Sequence, residues 1–137
     1  MKFLACLVLL AATIGASARD YTALLGTYTQ GGSRGLYLVR LNGDTGALSA
    51  PELVAELPNP EFLALHPGGR LVYALTQVKN ADGKSAGAVA AFALDPATGK
   101  LTLLNTEATG HGGLTHLAVD ATGRMVVAAS YGGGYVV

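Results

Sequence analysis

The sequence is short of charge. Only 13% of its 137 residues are Asp, Glu, Lys or Arg, and the nine acidic and nine basic residues cancel. A disordered tail would carry more charge and far less Val, Leu and Ile, so that class is excluded. There is no cationic excess to neutralise phosphates, which excludes a nucleic-acid partner. Cysteine occurs once, at Cys6. One apolar run stands out, Phe3 to Ile14, and it is too short for a membrane span, which needs roughly 20 residues. Gly31-Gly-Ser-Arg-Gly35 has Gly-x-Ser-x-Gly spacing but leads into no expected helix, so it is not a nucleophile elbow, and no Lys-Ser/Thr follows the glycines at 132–134, so a phosphate loop is excluded. No His, Asp or Glu spacing marks a dedicated metal site, and no metal or cofactor is expected. After residue 18 no window keeps a 3.6-residue apolar period, so little or no helix is expected.

What is present begins with a recognisable leader. Lys2 supplies a positive start, Phe3 to Ile14 an apolar stretch, and Ala16-Ser17-Ala18 a small-x-small cut site. That layout is a secretory signal peptide over 1–18, cut after Ala18. Cleavage removes Cys6, and with it any disulfide, thiol nucleophile or thiolate metal site from the mature chain. The formal charge becomes −1, because Lys2 is lost and all nine acidic residues remain. No membrane association is expected after cleavage.

The remainder repeats itself. Phe62-Leu-Ala-Leu-His-Pro-Gly-Gly-Arg70 returns as His116-Leu-Ala-Val-Asp-Ala-Thr-Gly-Arg124. Leu41-Asn-Gly-Asp-Thr-Gly-Ala-Leu48 returns as Leu94-Asp-Pro-Ala-Thr-Gly-Lys-Leu101. One motif starts at 62 and again at 116, the other at 41 and again at 94, so the two offsets agree to within a single position. Two motifs recurring in one order, with a period of roughly 50 residues, point to a β-propeller or a similar array. Within the complete repeat, strands A to D are expected near 62–66, 71–77, 87–94 and 101–107. The links 67–70 and 95–100 carry the Pro, Gly and Asp that turns require. The strands are dense in Val, Leu, Ala, Phe and Tyr, as expected where sheets are buried between neighbouring blades.

Laid over residues 19–137, the repeat gives a partial all-β propeller of about two and a half four-stranded blades. Residues 21–28, 36–41 and 52–57 are expected as strands B, C and D of a first blade that lacks strand A. Blade two is complete over 62–107. Residues 115–120 and 125–131 open blade three, and Tyr135 begins its strand C. A ring needs four to eight blades, so the sequence is expected to be a piece of a longer one whose far end supplies the missing strand A.

The motifs carry a family resemblance. Gly26-Thr-Tyr-Thr29 with Arg34-Gly-Leu-Tyr37, then Asn59-Pro-Glu-Phe-Leu-Ala-Leu-His-Pro67, then Thr115-His-Leu-Ala-Val-Asp120, Gly123-Arg124 and Tyr131-Gly-Gly-Gly134 resemble, in order, the first three blades of the lactonase-type seven-bladed propellers. That family includes the 6-phosphogluconolactonases and the carboxymuconate cyclases of the cycloisomerase 2 group. Leu114 departs from it where proline is usual, and Glu61 where a small hydroxyl residue is common. The resemblance implies a small-molecule lactone substrate, a cytoplasmic location at odds with the leader, and a catalytic His, Arg and Glu in later blades.

Meander geometry puts the short A–B and C–D turns on one face and the more varied B–C loops and D-to-A crossings on the other. Function resides in variable loops on a rigid scaffold. The site candidates are therefore Asn59, Glu61, His111, Thr115, Tyr28 and Tyr131 for substrate, with Gln77 nearby, and His116 for catalysis. Opening a lactone needs a base for water and donors for the oxyanion, and histidine suits the first role. The alternative for His116 is a structural imidazole bonded to a neighbouring blade. His111, in Gly110-His111-Gly112-Gly113, reads as lying in an exposed, flexible loop. His66, Arg70, Arg124, Asp95 and Asp120 read as scaffold on the opposite face. Three functions compete: a sugar-lactone hydrolase, a muconate-type cycloisomerase, and a non-catalytic exported propeller binding a ligand or protein. Oligomeric state is open. Expressed alone, residues 19–137 are expected to aggregate, because incomplete blades expose apolar strand edges. A sharp, cooperative melt of a monomer would contradict this.

Overall fold

The computed structural model describes residues 20–137, so the leader and Cys6 lie outside the described residues. Three antiparallel sheets follow one another. The first is β1 (Asp20–Leu25), β2 (Gly35–Asn42) and β3 (Glu52–Glu56), in that spatial order. The second is β4 (Leu63–Leu65), β5 (Leu71–Lys79), β6 (Ser85–Leu94) and β7 (Leu101–Ala108), again a simple meander. The third is β8 (His116–Val119), β9 (Val126–Ser130) and β10 (Tyr135–Val136). One 3-10 turn, Thr29–Gly31, is the only helical element among the described residues. No helix among them is long and apolar enough to cross a membrane.

Strand alternation explains why the sheets stack. Successive residues of β5 point to opposite faces. Val72 and Ala74 enter a core with Leu36 of the first sheet, Leu57 just after it, and Ala90, Phe92 and Leu101 of the second. Leu75 enters the other core, with Leu114, Leu117 and Ala128, and Tyr73 and Val89 pack against it. The inner strands of the middle sheet, β5 and β6, are thus covered from both sides, while β7 is exposed beyond Leu101. Ala88 and Ala90 of β6 are fully buried, and their small side chains let the first two sheets approach closely.

The strands fall where the repeat puts them, with one difference. The first strand was expected to reach residue 28 but ends at Leu25. At Gly26 the chain runs against the next crossing: a Cβ there would collide with the Pro60 carbonyl oxygen. The chain leaves the sheet, and the Thr27 hydroxyl closes the resulting loop on the Ser33 hydroxyl and the Gly35 carbonyl. Tyr28 is therefore a loop residue.

The recurring turns are built alike. Asn42 and Asp95 each open a C–D turn by accepting backbone N–H groups two residues on. Gly46 (φ +72°) and Gly99 (φ +79°) close these turns in the left-handed region open to glycine. Gly99 also abuts Leu38 of the first sheet. In the A–B turns, Asp120 accepts from the N–H groups of Thr122, Arg124 and Met125. His66, its counterpart in the preceding repeat, accepts from Gly68 N–H at Nδ1 (2.9 Å). That fixes the proton on Nε2, which donates to the Gly123 carbonyl of the next blade's turn (3.1 Å). His66 is scaffold, a clasp between two turns.

The Thr122 hydroxyl and the converging N–H groups hold the Asp120 carboxyl down at about 2. A folded-state value below the unfolded 3.8 stabilises the fold above 3.8, and the effect is lost as pH falls through about 2. In the full-length protein, Asp120→Asn is expected to lower the urea midpoint at neutral pH, with the gap to wild type closing between 3.8 and about 2. A gap that stays constant across that window would show that the charge contributes nothing.

Candidate active site

The face opposite these turns is made by two crossings between sheets, and both use the same device. In each, one residue takes a left-handed backbone: Asn59 (φ +45°) and, at the matching position of the next repeat, Gly113 (φ +70°). In each, a hydroxyl from the end of the B strand holds the crossing by its carbonyl. Thr76 Oγ1 donates to Pro58 O (2.8 Å), and Ser130 Oγ donates to Gly113 O (2.8 Å). Pro60 and Leu114 fill equivalent places, and both are buried. Leu114, where a proline was expected, reaches the second core because Gly87 leaves room. A Cβ on Gly87 would stand 2.8 Å from Leu114 Cγ.

The expected site residues fall into two groups on this face. Asn59, Glu61 and Tyr28 belong together. The Tyr28 phenol donates to Glu61 Oε2 (3.0 Å). By accepting that bond, and by its charge, the Glu61 carboxylate holds the phenol above the usual tyrosine range. Asn59 Oδ1 accepts from the N–H of Thr29 (2.9 Å) and its hydroxyl (3.1 Å). Asn59 Nδ2 donates to Gln77 Oε1, which also accepts from the Ser85 hydroxyl. Asn59 itself is buried, at 8% exposure.

His116, Thr115 and Tyr131 form the second group. His116 opens β8, is exposed, and packs its ring on Phe62 with centroids 4.3 Å apart. Among the described residues the His116 ring makes no hydrogen bond. Thr115 Oγ1 accepts from Tyr131 N–H (3.2 Å) and donates to the Ala129 carbonyl (3.4 Å), so its oxygen is engaged locally. Tyr131 is 92% exposed, its ring free on the surface. Phe62 joins the groups, because it directly follows Glu61 and touches His116. Sequence reasoning left Phe62 out, yet it occupies His116's position in the repeat. That alignment was the signal.

His111 stands apart. Its loop, expected to be flexible, is tied down: its carbonyl accepts from Gly87 N–H at 2.6 Å and from the Thr109 hydroxyl at 3.2 Å. Its ring packs on Tyr135 at 4.8 Å. The Tyr135 phenol donates to the Gly112 carbonyl (2.7 Å), anchoring the same crossing. No group of three or more metal-ligating side chains gathers among the described residues.

The arrangement offers a free imidazole, a carboxylate with one oxygen engaged, and a protonated phenol on one rim. Such a set can take a proton from water and hold hydroxyl groups of a ligand.

Residues 22–137 match the family described as lactonase, 7-bladed beta-propeller. A Bacillus subtilis protein named 6-phosphogluconolactonase is 37% identical over 116 residues, covering 85% of this chain and 32% of that protein. A solved Bacteroides uniformis structure, provisionally assigned as a 6-phosphogluconolactonase, superimposes with a TM-score of 0.73 at 37% identity, over 85% of this chain and 32% of that one. The periplasmic gluconolactonase of Pseudomonas aeruginosa gives a TM-score of 0.73 at 29% identity, over 82% and 31%. The chain spans about a third of the length of these relatives.

The crossing geometry predicts a contrast between two nearby glycines. Gly26→Ala forces a methyl onto the Pro60 carbonyl and is expected to destabilise the full-length protein by about 1–3 kcal/mol. Gly31→Ala, with nothing within 4 Å, is expected to be near neutral. Urea unfolding checks both, and equal midpoints would refute the close approach.

Proposed function

We propose, for a chain that belongs to the seven-bladed lactonase β-propeller family, that the whole protein opens a sugar lactone with water. The match to Bacillus subtilis 6-phosphogluconolactonase carries this reading. The rim described above supports it. His116, free of hydrogen bonds, takes the proton from water as its oxygen adds to the lactone carbonyl, and returns that proton to the ring oxygen as the ring C–O bond of the tetrahedral intermediate breaks. Glu61 accepts from hydroxyl groups of the sugar, and Tyr28 and Tyr131 present rings and phenols beside it. Cationic or N–H donors for the oxyanion come from the family's other blades.

Export is part of the same proposal. The leader pattern of residues 1–18 and the likeness to a periplasmic gluconolactonase favour an exported enzyme acting on an unphosphorylated aldonolactone. The proposed substrate carries no phosphate, since phosphorylated sugar lactones belong to cytoplasmic metabolism.

The full-length protein, assayed in a pH-stat with glucono-lactone and with its 6-phosphate, tests this. Acid release above the spontaneous rate with either lactone supports hydrolysis, and a preference for the unphosphorylated one supports the exported role. Rates no faster than spontaneous with both would sink the lactonase reading in favour of a binding propeller. His116→Gln is expected to cut kcat by roughly 10²–10⁴, the usual worth of a general base. An unchanged kcat would move the base to another blade.

A further inference from the structure

Asn59 is more than a turn residue. The left-handed backbone at this step of the crossing needs only glycine, as Gly113 shows in the next one. Asparagine tolerates that conformation and adds a side chain. Here the added side chain is buried, and it ties the crossing to the loop after β1 and, through Gln77, to β5.

The ties run in two rungs between the same two segments. The inner rung joins Asn59 to Thr29. Asn59 Oδ1 accepts twice from Thr29, and Asn59 N–H donates back to Thr29 Oγ1 at 3.4 Å. The outer rung joins Glu61 to Tyr28, one residue before Thr29. The rungs are also linked along the chain, because Glu61 N–H donates to the Asn59 carbonyl at 2.8 Å. The outer rung is exposed and consists of one hydrogen bond between two movable side chains. Exposed pairs of that kind hold little geometry of their own, since water competes and both side chains lose rotamer freedom. The inner rung has three hydrogen bonds and is partly buried, so water competes with it less.

We propose that Asn59 is a positioning residue, whose bonds to Thr29 hold the Tyr28–Glu61 pair in place on the rim beside Phe62 and His116. Its role in lactone binding rests on the lactonase reading. Its hold on the pair does not.

Asn59→Gly in the full-length protein keeps the left-handed backbone and removes the side-chain rung. The first readout is the titration of the Tyr28 phenol, followed through its 13Cζ resonance and identified by loss in Tyr28→Phe. Because Glu61 raises that titration in the wild type, release of the pair is expected to move it to lower pH. Thr29→Val removes the hydroxyl of the same rung and is expected to move it in the same direction, which covers the case in which Asn59→Gly does not fold. A Tyr28 titration unchanged in a folded variant overturns the proposal, whatever the kinetics. The second readout is lactone hydrolysis, where loss of positioning is expected to raise KM about tenfold with kcat within about twofold. A shifted titration with unchanged KM upholds the positioning role and overturns the assignment of Glu61 to substrate. A wild type without activity overturns the lactonase reading and leaves the titration to decide the positioning role alone.

Discussion

The inner strands of the middle sheet have to be apolar on both faces, because they are pressed between two other sheets, and the rest of the structure answers to that demand. In β5 alternate residues serve two different cores, Val72 and Ala74 on one side and Tyr73 and Leu75 on the other. Strands used this way have no polar face to spare, so polar groups must collect at the strand ends. At one end they make tight turns. At the other they tie crossings to strand ends and carry the side chains free to meet a ligand.

The two crossings show how that rim is kept in shape. Each combines one left-handed residue, one buried apolar residue and one hydroxyl from a B strand. The device is repeated, but its side chains are not. The first crossing has a carboxylate bonded to a phenol of the loop after β1, where the second has a threonine bonded to the backbone at the end of β9. A rigid, repeated frame with unequal fittings is what allows one end of a symmetric fold to become a site.

Most of the fold was legible because it rests on period-two patterning and on turns that recur once per blade. Both are carried by short stretches of sequence. The end of β1 was not legible, because it depends on Gly26 meeting Pro60, far along the chain. The exchange at Leu114 was half legible. The sequence marks the departure from proline, but only the packing shows that Gly87 makes the space. Among the candidate site residues, Glu61, Tyr28 and His116 were proposed from their place at strand and loop ends. What could not be read was how they pair. Asn59 reads as a rim side chain like the others, and its burial comes from the approach of the distant loop that holds Thr29. Phe62 was passed over because it carries no chemistry of its own, although the repeat aligns it with His116.

His66 has a different consequence. Its two ring nitrogens have separate duties: Nδ1 accepts within its own turn, and Nε2–H donates across to the turn of the next blade. Parting the second and third sheets would release Nε2 while the turn kept hold of Nδ1. Unfolding the turn would release both. The imidazole is therefore a built-in gauge that separates the opening of a seam from the melting of the blade beside it, each leaving its own mark on a different nitrogen.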